Sequence, residues 1–463
     1  MNLQDTSPSR SARRRVLLVA YSFPPVGGAG VQRPTKWTKY LPQFGWDVTV
    51  LTVANPSVPV RDPHLESEIP PETRILRART LEPGYGLKQA LKSTSGSDAK
   101  SSPRRTLRGA VKRMASACLQ PDSQILWVPN ALQLASRELA TVPHDAILVT
   151  APPYSSCLVG MRLATKFRLP LILDFRDEWD LSNRYLENAS SGAVGAWIQQ
   201  RMQRSVLRSA DVVLATTRSS TARLAERVRD AGHECDCECI YNGWDDDDFA
   251  STNPTNPVDD DSVFRLVYTG TLWNLTDIQP FVEAVQLVAN RAPQLLPRLS
   301  FTCLGRKTDD QAVHLERLLQ LLPQGVSRDY VPHGEIPGWL ASADATLMLL
   351  SDVPGSERVV PAKLFEYLAS GSEVLTLAPP GEASDLATGV WPDSTFAPGD
   401  TERIANWLIA RLYSPERHRI SRKDDRIQPF SRRSQSAQLA AVLDRACGIV
   451  ETVGPMNREV VPC

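Results

Sequence analysis

Short apolar runs alternate with stretches of helical period along almost the whole chain, and this alternation restricts it to parallel sheets covered by helices. The first cycle is the plainest: an apolar run over Val16–Tyr21, a Pro/Gly loop over Phe23–Gly30, a helix-like stretch over Gln32–Phe44, and a second run over Asp47–Val53. Two strands joined through a helix lie parallel, with a right-handed crossover. Further strand signals at Ala146–Thr150, Pro170–Phe175 and Asp211–Thr216 are separated by helix-like segments around Ser155–Arg168 and Gly192–Ser209. A doubly wound sheet follows for the first half.

The alternation stops between Cys239 and Ser262, where Asn242-Gly243, Asp245–Asp248, Asn253-Pro254 and Asn256-Pro257 give the composition of turns and linkers. It then restarts with strands at Phe264–Tyr268, Leu299–Leu304, Ala345–Leu350 and Glu373–Leu377, interleaved with helical stretches at Ile278–Asn290, Gln311–Leu322 and Pro361–Ser370. The expected organisation is an N-terminal Rossmann-like domain over 13–240, a linker over 241–262, a second Rossmann-like domain over 263–430, and a C-terminal helix and tail over 431–463. Within the first domain, 84–119 is a Ser/Lys/Arg-rich insertion. A chain of 463 residues with 42% hydrophobic residues has enough apolar material for two cores.

Lys plus Arg balance Asp plus Glu at 52 each, so no global field draws the protein to nucleic acid, and none is expected as a partner. No apolar run approaches the roughly 20 residues needed to span a bilayer. Cys235, Cys237 and Cys239 alternate, which places them on one side of a strand, and no second cluster with zinc-ligand spacing accompanies them. A reduced, cytoplasmic protein without a metal site is the expectation.

In open parallel sheets, ligands gather at the carboxyl ends of the strands. The loop with Gly27, Gly28 and Gly30 is such a place and opens a helix, so it suits a phosphate or carboxylate, and equally a tight connecting turn. Its spacing is not the G-x-G-x-x-G of dinucleotide sites. In the second half, Pro354–Val360 runs into Pro361-Ala362-Lys363-Leu364-Phe365-Glu366, with Pro361 suited to the first helical position. Amides from Val359 to Lys363 would face a diphosphate, and Glu366 could accept hydrogen bonds from ribose hydroxyls; a surface Lys363–Glu366 ion pair is the alternative. Asp174-Phe175-Arg176-Asp177-Glu178 closes a strand with charge that could stabilise a transition state, or could form only an internal Arg176–Asp174 or Arg176–Asp177 bridge.

Together these segments resemble the family 4 glycosyltransferases, which have the two-Rossmann-domain fold called GT-B and are usually retaining and metal-independent. Val16–Pro25 with Gly27-Gly28 looks like the opening strand and glycine loop, Gly45–Thr52 like the second strand, Asp174–Asp177 like a bacterial polysaccharide-assembly branch, and Tyr241–Asp245 like the interdomain N-G-x-D. Tyr268–Leu272 is similar to the first strand and loop of the second domain. The most specific element is Pro361-x-Lys363-x-x-Glu366-Tyr367-x-Ala369-x-Gly371, with Ser384-Asp385-Leu386 after the next strand.

The resemblance implies that Glu366 holds the nucleotide ribose, that Gly27 and Gly28 border the diphosphate, and that the loop ending at Val360 meets the donor sugar. Many members carry two glutamates separated by seven residues, and Arg358 stands where the first would be. Relatives often place basic residues in the loop that Gly270–Leu275 would form, and this chain has none there, so diphosphate charge falls to Lys363, Arg306 or Arg358. Arg176 or Asp177 stands nearest to the place of a histidine found in many relatives. Arg176, Asp177 and Lys363 are therefore the candidate catalytic residues.

The implied activity is transfer of a sugar from a nucleotide-sugar donor to a glycan or lipid-linked acceptor, with no cofactor beyond the donor itself. A sugar-nucleotide 2-epimerase of similar fold and a catalytically silent nucleotide-sugar-binding subunit are the rivals. No Asp-x-Asp motif lies in a strand-end loop, and Asp245–Asp248 is expected to be solvated linker charge. Arg104, Arg105, Arg108, Lys112 and Arg113 fall on a stretch of approximately helical period over 103–119, which could rest on an anionic membrane or be an ordinary solvated surface. Engagement of this helix would make the protein peripheral on the inner face of the cytoplasmic membrane.

Overall fold

The computed structural model describes residues 13–58, 61–84, 119–181, 192–250, 262–414 and 417–449. The basic stretch at 103–119 lies outside these residues apart from Leu119.

The first sheet holds β1 (Arg14–Val19), β2 (Trp46–Val53), β3 (Arg74–Ala78), β4 (Ala146–Ala151), β5 (Leu171–Phe175), β6 (Val212–Ala215) and β7 (Asp236–Cys239) in the order β3-β2-β1-β4-β5-β6-β7. All pairings are parallel. The second holds β8 (Phe264–Thr269), β9 (Leu299–Leu304), β10 (Gln324–Arg328), β11 (Ala345–Leu349), β12 (Glu373–Leu377) and β13 (Thr395–Phe396) in the order β10-β9-β8-β11-β12-β13, again parallel. Both are α/β sheets wound outward in two directions from their first strand.

Each sheet carries a core on both faces, because its central strands are apolar at successive positions rather than at alternate ones. In β1, Leu17 and Val19 face one core while Val16 and Leu18 face the other. In the second sheet, Phe264, Leu266 and Tyr268 of β8 face one core and Val267 faces the other.

The chain crosses between the halves twice, and the crossings run side by side. Trp244 N donates to Phe430 O at 3.2 Å, and Arg432 N to Trp244 O at 2.7 Å. Gly243 is required here, since a Cβ would stand 1.9 Å from Phe430 O. The returning helix Arg432–Ala446 then buries Leu439, Ala440, Val442 and Leu443 against the first sheet.

In the acidic run of the first crossing, Asp246 and Asp247 are exposed as the sequence expects, whereas Asp245 and Asp248 depart from the expectation of solvated charge. Asp245 is buried and takes ionic contacts from Lys36 and Lys39, at 2.7 and 2.8 Å, and a hydrogen bond from Tyr40. Asp248 also meets Lys36, at 2.7 Å. The helix Ala29–Tyr40 presents both lysines toward the crossing, so these carboxylates pin it to the first domain rather than facing water.

Candidate functional site

In each sheet the winding reverses beside its first strand, between β1 and β4 and between β8 and β11. A crevice opens at the carboxyl ends of the strands at such a point. The two crevices define the centre of the candidate site.

On the first side, Gly28 has φ 102° and begins the helix Ala29–Tyr40, which has neither a side-chain cap nor an acidic residue in its first turn. Its amide end is therefore uncompensated. Beneath it, Arg33 is buried against Asp174, with Nη2 to Oδ1 at 2.8 Å and Nε to both carboxylate oxygens at 3.2 Å. Arg33 Nη1 donates to Tyr241 O at 2.7 Å, and Thr150 Oγ1 donates to Asp174 Oδ2 at 2.8 Å. Asp174 is thus a buried strut, and the internal Arg176–Asp174 bridge left open by the sequence does not form. The Arg176 guanidinium instead donates to the carbonyls of Gly30 and Pro152, which bring it against the first turn of that helix. Asp177 is exposed, and its carbonyl accepts a 3.0 Å bond from Tyr154 Oη.

On the second side, the helix is Lys363–Ser370, two residues shorter at its start than the sequence reading, with Leu364 N bonded to Pro361 O at 3.0 Å. The amide of Val359 already donates to Ser356 O at 2.9 Å, so it is withdrawn from the amide set expected to meet a diphosphate. Val360 is buried in the core with Leu364, which leaves only its backbone for a ligand.

Lys363 Nζ donates to Tyr268 Oη at 2.8 Å and lies 4.2 Å from the centroid of that ring. Tyr268 Oη in turn donates to Thr271 O at 2.9 Å. No carboxylate pairs with Lys363 among the described residues, and burial pushes its ammonium down to about 7. The turn at Gly270 (φ 107°) closes over it; a Cβ there would stand 2.8 Å from Nζ. The surface Lys363–Glu366 pair considered from the sequence is not formed.

Glu366 accepts a 3.2 Å hydrogen bond from His333 Nε2, in the loop after β10. Burial opposes the carboxylate, but the bond and charge of His333 hold Glu366 below its usual range. Burial likewise opposes the imidazolium, but the bond and charge of Glu366, with the charge of Asp248, raise His333 to about 9. The carboxylates of Glu68 and Asp248 lie close enough to His333 to share a cation. Lys36 Nζ sits 2.7 Å from each of those carboxylates and supplies that charge itself.

Two further contacts cross between the halves. Arg358 Nε donates to Glu178 Oε1 at 2.8 Å and its Nη1 to Glu357 at 2.6 Å, so its charge is engaged by carboxylates rather than turned to the centre. Glu382 accepts from the amides of Arg218 and Ser219 at 2.7 and 2.9 Å, from Ser219 Oγ at 2.7 Å, and from Tyr241 Oη. Arg306 is exposed at the end of β9 and makes no ion pair with a described residue; its carbonyl holds Leu272 N at 2.8 Å. A cavity of about 770 Å³ lined by Arg218, Tyr241, Glu357, Glu382, Phe430 and Gln435 lies beside the crossings and includes neither Gly28 nor Lys363.

The site residues expected from sequence therefore divide. Gly27, Gly28 and Arg176 gather at the first switch point, and Lys363 with Glu366 at the second. Arg33, Lys36, His333 and Glu382 escaped the sequence reading, because their partners lie between 33 and 212 residues away and share no local motif with them.

Residues 27–235 match the family described as glycosyl transferase 4-like domain. No curated protein sequence matches the chain. Among solved structures, sucrose-phosphate synthase from Thermosynechococcus elongatus superposes with a TM-score of 0.59 at 17% identity, over 95% of this chain and 100% of that one. Anabaena HepE in complex with UDP and glucose gives 0.57 at 16%, covering 93% and 100%. A putative UDP-N-acetylglucosamine 2-epimerase from Listeria monocytogenes gives 0.55 at 11%, covering 95% and 98%. At these identities the likeness is one of fold. With the family match across the glycine loop and β5, and with two parallel sheets each wound outward from its first strand, residues 27–235 are a glycosyl transferase 4-like domain in a chain of the GT-B fold.

Proposed function

We propose that the protein transfers a sugar from a nucleoside-diphosphate sugar to a glycan or lipid-linked acceptor, with retention of configuration and without a metal ion. The observation that carries this reading is the pair on one short helix: among the described residues, Lys363 has no carboxylate partner and Glu366 takes its side-chain hydrogen bond from His333. A diphosphate at the start of this helix meets the ammonium and the helix dipole together. One turn further along, Glu366 is positioned to exchange its histidine bond for the hydroxyls of a ribose.

The first domain contributes the opposing wall. Gly28 leaves the backbone open to a ligand, since nothing lies within 4 Å of where its Cβ would be. Arg176, fixed by two carbonyls, is a preorganised positive group beside that turn and can stabilise charge that develops as the anomeric C–O bond breaks. Lys363 and the helix amides then receive the charge of the departing diphosphate, with Arg306 at the rim. Those cations support chemistry without a metal. Retention, and a polysaccharide-assembly role, rest on the resemblance of Asp174–Asp177 and Pro361–Gly371 to the family. The lipid-linked form of the acceptor and a peripheral placement at the membrane are supported by the basic composition of 103–119.

Thermal melts against a panel of nucleotide sugars test the donor side, because a ligand that binds only the native state raises stability by mass action. Selective stabilisation by one donor, followed by sugar transfer in a mixture of acceptors, is expected. Conversion of a single nucleotide sugar to its C2 epimer without acceptor would establish the epimerase instead, and binding without turnover the silent subunit. Activity abolished by a chelator and restored by manganese would overturn metal independence.

A further inference from the structure

The helices Ser155–Phe167 and Gly192–Leu207 lie next to each other in the outer layer of the first sheet, where Ser205 Oγ approaches Met161 Sδ at 3.7 Å. Neither contains an acidic residue. The first turns Arg162 and Lys166 to solvent, four apart on one face; the second turns out Arg201 and Arg204, with Arg208 just past its end. None of the five pairs with a described carboxylate. The neighbouring helix Arg218–Asp230 behaves differently: its Arg223 meets Glu226 at 2.7 Å and its Arg227 meets Asp180 at 2.5 Å. In a chain of zero formal charge, five unpaired cations on one acid-free face are a local concentration.

Apolar groups stand at one end of this face. Val194 and Trp197, three apart at the start of the second helix, are 68% and 61% exposed, and Arg201 lies 5.8 Å from the Trp197 ring centroid. A basic face with one protruding tryptophan suits an anionic bilayer, where cations meet the negative surface potential and the indole sits at headgroup level. A nucleic-acid strand calls for a groove with successive stacking rings, and this face offers one ring at its edge. Both helices run from the carboxyl edge of the sheet back to its amino edge, so Val194 and Trp197 stand toward the cleft while Arg162, Lys166 and Arg204 stand toward the far edge.

We propose that this two-helix face docks the enzyme on an anionic lipid bilayer. The proposal is independent of which donor or acceptor is used, and it concerns residues other than those of 103–119. Flotation of the full chain with phosphatidylcholine vesicles, with and without phosphatidylglycerol, is the direct test. The parent should float only with phosphatidylglycerol present and should be released by added salt. A variant with Arg162, Lys166, Arg201 and Arg204 all changed to Ser should lose membrane partition by roughly a hundredfold or more, taking each basic group at its usual weight near such a surface. Trp197→Ser should lose several-fold, and both variants should keep the parent's melting temperature and nucleotide affinity. Equal flotation of parent and quadruple variant overturns the proposal and transfers membrane binding to another segment. So does failure of the parent to float with anionic vesicles, or tighter binding of the parent to heparin or single-stranded RNA than to the vesicles.

Discussion

The two sheets are wound alike, yet the charges at their switch points are settled in opposite ways. At the first, Arg33 and Asp174 neutralise each other in the core, and Arg176 is clamped by backbone carbonyls. At the second, among the described residues, Lys363 is held by a phenol and its ring and Glu366 by a histidine, so neither is locked in a buried Arg–Asp pair like that of the first. Shared topology therefore does not mean shared duty: the first side is a braced wall and the second a surface prepared for an anion and a diol. Breaking a pair on the first side should cost stability, whereas breaking one on the second should cost affinity.

The largest effect is expected from Asp174→Asn. It leaves Arg33 buried without its counter-charge, and removing one partner of a buried pair costs about 3–5 kcal/mol. Urea denaturation should show that loss, while donor affinity of the remaining folded protein stays near the parent's. Next comes Glu366→Ala, which removes a charge-assisted acceptor and should weaken nucleotide binding by about 1.5–3 kcal/mol. Isothermal titration reads it; an unchanged dissociation constant would put the ribose elsewhere, and an equally large loss of stability would erase the contrast between the two sides.

Much of this architecture is legible in the residues, and what is not has physical reasons. Strands apolar on both faces, such as Val16–Val19 and Leu171–Phe175, announce a parallel sheet directly. Edge strand β10 does not, since Gln324, Ser327 and Arg328 give it a polar composition and its side chains are half in water. The helix Lys363–Ser370 and its two functional groups were visible because they lie within one turn of each other. The linker acids were misread because Asp245 and Asp248 look solvated until the helix carrying Lys36 and Lys39 is folded against them, some 206 to 212 residues away in sequence. Charge partners supplied by another element leave no local signature.

Titration sharpens the comparison further. With its ammonium near 7, Lys363 is charged below that pH and neutral above it, so affinity for a diphosphate should fall as pH rises through about 7, by at most about tenfold per pH unit. His333 loses its proton higher, near 9; its pairing with Glu366 stabilises the fold fully below about 6.5 and lapses as pH rises through 9. Nucleotide affinity measured from pH 6 to 10 should show the first slope in the parent and not in Lys363→Met, while His333→Gln should retain it. A slope that survives in Lys363→Met assigns the diphosphate to another cation, with Arg306 the first to test.

The smallest effect concerns Glu382, which like Arg358 lends a charge from the second domain to the first. Its carboxylate caps the amide end of helix Arg218–Asp230 through the amides of Arg218 and Ser219; burial pushes it up, but the hydroxyls of Ser219 and Tyr241, followed by those amides, hold it below the usual carboxylate range. A carboxyl group depressed on folding contributes stability above its unfolded value, near 4.3, and that contribution fades as pH falls through the folded value. Glu382→Gln should therefore cost about 0.5–2 kcal/mol at pH 7, the usual worth of a helix cap, and progressively less in acid. The cap stands at the β6 and β12 end of the cleft, away from Lys363, so the donor dissociation constant should move by less than it does in Glu366→Ala. If the two variants weaken nucleotide binding equally, the cap and the ribose site act as one unit. The division between a bracing side and a binding side would then fail at the seam where the domains meet.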